Sequence, residues 1–391
     1  MSANSTAAVE AEYSDLRSAV RSLCARFPGT YWQALDESRS YPEDFVKELG
    51  DSGYLSILIP QEFGGAGGTL IEASVILEEI HRSGGNASAC HAQMYTMGTL
   101  LRHGSQEQKE RFLPRVARGE IRLQSFAVTE PSAGSDTLNL TTTATRDGAG
   151  YVVSGQKIWT SRVQHSDLMV LLARTAPADS SRGGRDGLSV FLLDLKEALA
   201  EGMTVRPIRT MLNHETNEVF FDRLRIPDSA LIGEEGKGFS YILDGMNAER
   251  ILIAAECIGD GYWFVDRASE YARSRVVFGR PIGANQGVAF PLARSYLDVR
   301  AADLMRVRAA NRFDAGLDCG AEANMAKLLA SEASWEAANA AIQTFGGYGF
   351  AAEFDVERKF RETRLYQVAP ISSNLILAYL AHHALKLPRS Y

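Results

Sequence analysis

The sequence predicts an α+β protein, mostly α, in which a helical domain, a β domain and a helical bundle follow one another. Three observations carry this. Residues up to about 123 space their apolar positions helically between capping signals. Residues 124–235 switch to short β-rich runs cut by Gly, Asp and Pro. Residues 236–391 return to long helical periods with short connections. The expected domains are therefore 1–123, 124–235 and 236–391.

In the first domain, Tyr41-Pro42-Glu43-Asp44 is a helix start, with Pro and acids in the first turn. Phe45, Leu49, Leu55 and Ile57 lead from it to the break at Pro60 and Gly64-Gly65. A helix restarts near Leu70, where Ala73, Val75, Ile76, Leu77 and Ile80 make an apolar face beside Glu78, Glu79 and Arg82. Another passes through residues 105–109, with Ser105 as its cap. The β domain is expected to use residues 125–128, 140–145, 151–153, 168–172, 188–193 and 219–221, with a turn at Asp147-Gly148-Ala149-Gly150. It ends near Pro227 and the Gly-rich residues 233–238. Helices of the bundle cover roughly 240–274, 286–316, 320–345 and 370–386, and alanines such as those in residues 337–341 suit close helix packing.

The bulk numbers exclude several functions. With 391 residues and 45% hydrophobic content the chain can bury more than one core. A net charge of −7 speaks against a nucleic-acid footprint. Cys24, Cys90, Cys257 and Cys319 are scattered, with no CxxC and no His at ligand spacing, so no metal site is expected. The first residues lack a basic stretch followed by an apolar one, and no run of about 18 apolar residues occurs. The expectation is a soluble, cytoplasmic protein without a membrane partner.

Four motifs can carry chemistry. Val128-Thr129-Glu130-Pro131-Ser132-Ala133-Gly134-Ser135-Asp136 puts small residues, hydroxyls and N–H groups after a strand. Such a loop can approach a heterocycle or a pyrophosphate closely, or it can be a surface turn. Gly155-Gln156-Lys157-Ile158-Trp159-Thr160-Ser161 ends a strand in a Trp and two hydroxyls, which suits ring stacking or a core Trp. Arg273-Ser274-Arg275-Val276-Val277-Phe278-Gly279-Arg280, followed by Gln286, places guanidinium groups at a helix end, for the dipole or for phosphate. Gln343-Thr344-Phe345-Gly346-Gly347-Tyr348-Gly349 is a helix end rich in glycine, which by itself reads as a C-cap.

In this order and spacing, together with Pro60…Phe63-Gly64-Gly65 and Arg358…Arg361-Glu362, the chain resembles the acyl-CoA dehydrogenase family from about Tyr41 to Leu385. The resemblance implies a central β-barrel-like domain, a C-terminal four-helix bundle and non-covalent FAD. It implies that Phe126, Val128, Thr129 and Ser135 contact the flavin or its pyrophosphate, with Ser135 also near substrate. Trp159 would lie against the ring and Ser161 near its reactive edge. Arg275, Phe278, Gln286, Gln343 and Gly347 would bind the ADP half of an FAD held mainly by a neighbouring subunit, so a homotetramer or homodimer is implied. Ser372 and Asn374, at the start of the last helix, join the cofactor set.

The resemblance also implies a carboxylate base, because a carbonyl-activated α-proton must leave as the β-hydride departs. Many relatives carry this Glu in the loop before the last helix. Here Tyr366-Gln367-Val368-Ala369-Pro370-Ile371-Ser372 puts Pro370 at that position. A minority, resembling isovaleryl- and long-chain acyl-CoA dehydrogenases, carries the Glu on the first bundle helix directly before an Arg. That position holds Glu249, followed by Arg250. Glu249 is thus the expected base and Arg250 an expected substrate contact; by itself Glu249 reads as an ordinary acid in a helix's first turn. Pro370 also lacks the N–H that in relatives polarises the thioester carbonyl. Loss of one such donor costs roughly 2.7–4 kcal/mol of transition-state stabilisation. Either Ile371 donates from a shifted loop, another group takes over, or the chemistry differs.

The expected activity is formation of an α,β-enoyl-CoA, with electrons passed to an electron-transfer flavoprotein. Alternatives on the same scaffold are a redox-neutral elimination, an oxidase, a dehydrogenase of acyl-carrier-protein thioesters, or a non-catalytic binding protein. Met94, Tyr95 and Met97 read either as acyl-pocket lining or as core.

Overall fold

The computed structural model describes residues 13–177, 186–212 and 214–389. The N-terminal helices are α1 (Ser14–Cys24), α2 (Gly29–Ser38), α3 (Glu43–Asp51), α4 (Leu70–Arg82), α5 (Ala92–His103) and α6 (Gln106–Ala117). Then come strands β1 (Leu123–Ala127), β2 (Thr143–Arg146), β3 (Gly150–Ser161), β4 (Leu168–Arg174) and β5 (Leu188–Asp194). Helix α7 (Leu195–Glu201) precedes β6 (Met203–Pro207), β7 (Thr216–Pro227) and β8 (Leu231–Ile232). Helix α8 (Gly238–Ser274) is followed by β9 (Val276–Val277) and β10 (Arg280–Pro281), which pair as a hairpin. The chain closes with α9 (Gln286–Asp314), α10 (Gly320–Phe345), α11 (Val356–Arg364) and α12 (Ser373–His383).

These elements form two compact units. One takes the chain up to Ser40, Thr69–Ala87 and the chain from Asn247 onward; the other takes Tyr41–Gly68 and Ser88–Met246.

The helical unit is organised by α4. Its start is a capping box: the Thr69 hydroxyl accepts from the Glu72 N–H, and the Glu72 carboxylate accepts from the Thr69 N–H at 2.7 Å. Nearly every residue of α4 is buried, Glu78 and Glu79 among them. Burying a charge demands a partner, and each acid has one. Arg17 on α1 grips Glu78 through two bonds of 2.9 and 2.8 Å. Arg306 on α9 donates to Glu78 at 2.9 Å and to the Ser74 hydroxyl at 2.7 Å. His81 accepts from the Ala87 N–H through Nε2 at 3.0 Å, so its Nδ1–H donates to Asp260 on α8 at 2.9 Å. Buried alanines such as Ala326, Ala330, Ala337 and Ala341 let α10 pack closely on its neighbours.

The other unit is built on one sheet in the order β6-β7-β3-β2-β4-β5-β8, with β1 paired parallel to β4. Strand β4 reads as an unbroken apolar run because both of its faces are covered. Leu168, Val170 and Leu172 join the core shared with Met97 and Leu100 of α5 and Leu113 and Val116 of α6. Met169, Leu171 and Ala173 face the opposite core, with Tyr151, Phe191 and Phe221. Ser105 caps α6 as expected, paired with Gln108 in a second capping box.

Four expectations need correction. The run at 140–145 pairs only over Thr143–Arg146, because Thr141 and Thr142 give their N–H groups to Glu130. The strand expected at 151–153 is longer, running from Gly150 through Ser161, where the Trp motif ends it as expected. Helix α7 and strand β6 were not expected. The last helix starts at Ser373, past Pro370, with the Ser372 hydroxyl accepting from the Leu375 N–H at 3.4 Å.

Candidate active site

The sheet unit presents the first two motifs side by side. The loop after β1 folds back on itself through reciprocal backbone bonds between Glu130 and Ala133, of 3.3 and 3.1 Å. Phe126 near the end of β1 and Val128 and Thr129 on the loop are half-buried, and Ser135 on the loop is exposed. The Thr129 carbonyl accepts from the Ile158 N–H of β3 at 2.9 Å. That bond is available because β3 slips against β7 between Lys157 and Thr160, a bulge of one residue. Trp159 sits in the bulge at φ 61°, and its side chain is 57% exposed. An indole held outward from a strand by left-handed backbone is unusual and points to a functional surface. Ser161 lies two residues on, half-buried, with its hydroxyl 3.3 Å from that of Thr216.

This surface fits a flat heterocycle with polar edges. Trp159 offers a stacking face, and the Thr129 and Ser135 hydroxyls make no hydrogen bond among the described residues. The Thr160 hydroxyl is buried in the same strand without a partner. Tyr95 on α5 meets Phe126 edge-on at 6.4 Å and His91 at 5.8 Å, so an aromatic row adjoins the loop. Met94 and Met97 are buried, and Met97 belongs to the core.

The helical unit brings the third and fourth motifs together. Arg275 leaves the end of α8, and its guanidinium lies 5.9 Å from the Tyr348 ring in the turn after α10. Tyr271 stacks on Phe345 at 4.2 Å, fixing the end of α8 to the end of α10. Phe278 stands at the hairpin tip fully exposed, at φ 51°. Gln286, Gln343 and Gly347 are exposed around these elements, and a Cβ at Gly347 would meet nothing within 4 Å. An exposed ring, a guanidinium and two amides suit the adenine and phosphates of a dinucleotide. Asn374 is exposed in the first turn of α12, whereas Ser372 is occupied in capping that helix.

Glu249 is buried on α8, 8% exposed. Its neighbour Arg250 donates to the Asn247 side chain at 3.0 Å, and burial pushes its guanidinium pKa down. Two turns further along the same face lies Glu256, wholly buried, whose carboxylate accepts from the Tyr366 hydroxyl at 2.8 Å. Lys327 on α10 reaches under the loop and donates to the carbonyls of Tyr366 at 2.7 Å and Ile371 at 3.0 Å. The loop therefore carries Pro370 on a held frame, with no titratable side chain between Tyr366 and Asn374. Sequence reasoning missed Lys157, Glu130, Lys327 and Glu256. A lysine inside the strand motif and an acid inside an apolar helix were the available signals.

Comparisons with known proteins show the family of the chain. The acyl-CoA dehydrogenase N-terminal, middle and C-terminal domain families match residues 10–120, 125–224 and 236–382. The chain is 36% identical over 381 residues to acyl-CoA dehydrogenase FadE12 of Mycobacterium tuberculosis, covering 96% of each protein. Butyryl-CoA dehydrogenase from Megasphaera elsdenii superposes with a TM-score of 0.88 at 26% identity, covering 95% of this chain and 97% of that one. The FAD complex of PigA superposes with a TM-score of 0.89 at 26% identity, covering 96% and 98%. With all three domain families matched in order along nearly its whole length, the chain belongs to the acyl-CoA dehydrogenase family of oxidoreductases.

Proposed function

We propose that the protein is an FAD-dependent acyl-CoA dehydrogenase that makes an α,β-enoyl thioester, with Glu249 as the base. The observation that carries the assignment is the pairing of an empty loop position with a buried acid. Pro370 can take no proton, while Glu249 is a buried carboxylate beside Arg250. Glu256 is the rival acid on that helix face, and the Tyr366 hydroxyl engages it. Glu249 removes the α-proton and holds it; Arg250 orients the thioester's pantetheine arm. Burial of Glu249 keeps water from the proton. Bound FAD would supply the acceptor for the β-hydride, with an electron-transfer flavoprotein as the onward acceptor of its electrons.

Phe126, Val128, Thr129, Ser135, Trp159 and Ser161 hold the flavin and its pyrophosphate in this reading. Arg275, Phe278, Gln286, Gln343 and Gly347, with Asn374, hold the ADP half of the cofactor of a neighbouring copy. A homo-oligomer is supported by α9, where Phe290, Leu297 and Leu304 recur every seventh residue and are all exposed. Such a stripe suits a facing helix from another copy. No helix among the described residues is long and apolar enough to cross a membrane.

The test is anaerobic mixing of FAD-loaded protein with acyl-CoA esters of graded length and branching. The reading expects bleaching of the flavin absorbance by a subset of them. Product without bleaching would point to elimination, and oxygen consumption without an added acceptor to an oxidase.

A further inference from the structure

Lys157 and Glu130 form a buried ion pair that the proposed chemistry does not use. Lys157 has no exposed side-chain surface and Glu130 almost none, in the middle of the sheet unit. A lone buried ammonium or carboxylate would be strongly unfavourable, so each group must be matched by partners. Both groups are matched. Lys157 Nζ donates to Glu130 Oε1 at 2.9 Å and to the Val128 carbonyl at 2.9 Å. Glu130 Oε1 also accepts from the Thr142 N–H at 2.8 Å. Its Oε2 accepts from the Thr141 N–H at 2.6 Å and the Thr141 hydroxyl at 2.8 Å.

The partners show what the pair joins. Thr141 and Thr142 close the far end of the loop that begins at Val128, so Glu130 ties the loop's exit to its entrance. Lys157 is the residue from which β3 bulges, and the next residue, Ile158, donates to the Thr129 carbonyl at 2.9 Å. Consecutive carbonyls, those of Val128 and Thr129, are thus held by consecutive residues of β3. The same bulge turns Trp159 outward at φ 61°. One strut therefore fixes the loop and the Trp relative to each other. Val128, Ala133, Leu138 and Leu140 anchor the loop in the core, while its hydroxyls and N–H groups take their register against β3 from these hydrogen bonds.

We propose that Lys157 and Glu130 are positioning residues that lock the Val128–Ser135 loop and Trp159 into one cofactor-binding face, setting FAD affinity without touching FAD. The inference rests on the reading of this face as the flavin site. Burial pushes the Lys157 ammonium down to about 8, while the Lys157 charge and the Thr141 and Thr142 donors hold the Glu130 carboxyl down to about 2. Both directions fit a pair whose environment penalises charge and whose geometry restores it.

The experiment is FAD titration of the full-length apoprotein, followed by flavin fluorescence, for wild type, Lys157→Met and Glu130→Gln. Lys157→Met keeps the stem and removes the donor to Val128; Glu130→Gln keeps the shape and an acceptor oxygen but removes the charge. The expected result is an FAD Kd raised at least tenfold by Lys157→Met and at least threefold by Glu130→Gln, with blurred vibronic structure in the bound flavin's visible band. Far-UV circular dichroism at the titration temperature should match wild type. A Lys157→Met protein that fails this fold check is set aside, and Glu130→Gln alone then decides. Variants that bind within twofold of wild type and show its flavin spectrum would overturn the positioning role. Wild-type apoprotein that takes up no FAD would overturn the flavin reading itself, before any variant is compared.

Discussion

Replacing Lys327 by Met isolates the frame that carries Pro370. Met keeps the length and apolar stem of Lys but donates nothing. Two carbonyls lose a charged donor, that of buried Tyr366 at 2.7 Å and that of half-buried Ile371 at 3.0 Å. A hydrogen bond to a charged group contributes roughly 1.5–3 kcal/mol, so the gross loss is about 3–6 kcal/mol. Part is returned, because burial already pushes the Lys327 ammonium down and Met carries no such penalty. A net destabilisation of about 3 kcal/mol follows, from a buried polar network broken on one side only. At about 2.1 cal/mol/K per residue, unfolding of the chain as one unit has an entropy near 0.8 kcal/mol/K. The melting midpoint should therefore fall by about 4 °C. Differential scanning calorimetry at one fixed scan rate measures this, with amide exchange at residues 366–371 as the local readout. A midpoint within 1 °C of wild type, with unchanged exchange in the loop, would refute the reasoning.

Three further outcomes follow from the same structure. Arg306→Met leaves Glu78 and Asp303 without their shared guanidinium and should destabilise the helical unit by about 3–5 kcal/mol in a melting comparison. The Glu130 carboxyl is depressed in the folded state, so its contribution is present above the unfolded value near 4.5 and is lost as pH falls towards about 2. Melting midpoints of wild type should accordingly drop more steeply across that window than those of Glu130→Gln. Leu297→Glu places a charge in the middle of the exposed α9 stripe and should shift the protein to a smaller species in sedimentation or light scattering.

Much of the fold was legible because periodicity reports burial. Phe45, Leu49 and the α4 stripe announced helices, and the apolar run at residues 168–172 announced a strand, whose burial on both faces emerged only from the structure. The site was legible only as motif fragments. Thr129, Ser135 and Trp159 were visible as types, but the bulge that brings them together depends on the Lys157–Glu130 strut, whose members are far apart in sequence. Glu78 and Glu79 lay beside the apolar face of α4 in the sequence, yet long-range ion pairs bury them: Arg17 and Arg306 lie 61 and 228 residues from Glu78. No helical period predicts such partners. Pro370 was plain in the sequence, whereas the lysine that holds its loop was hidden in the middle of α10.

The choice of Glu249 is tested most directly by stopped-flow flavin reduction in Glu249→Gln, using the acyl-CoA ester that bleaches wild type. Gln keeps the volume and hydrogen-bonding reach of Glu but takes no proton. FAD and ligand should bind as before, while the reduction rate falls by several orders of magnitude. A drop of less than about tenfold, or 1.4 kcal/mol in the barrier, would contradict the assignment and place the base elsewhere.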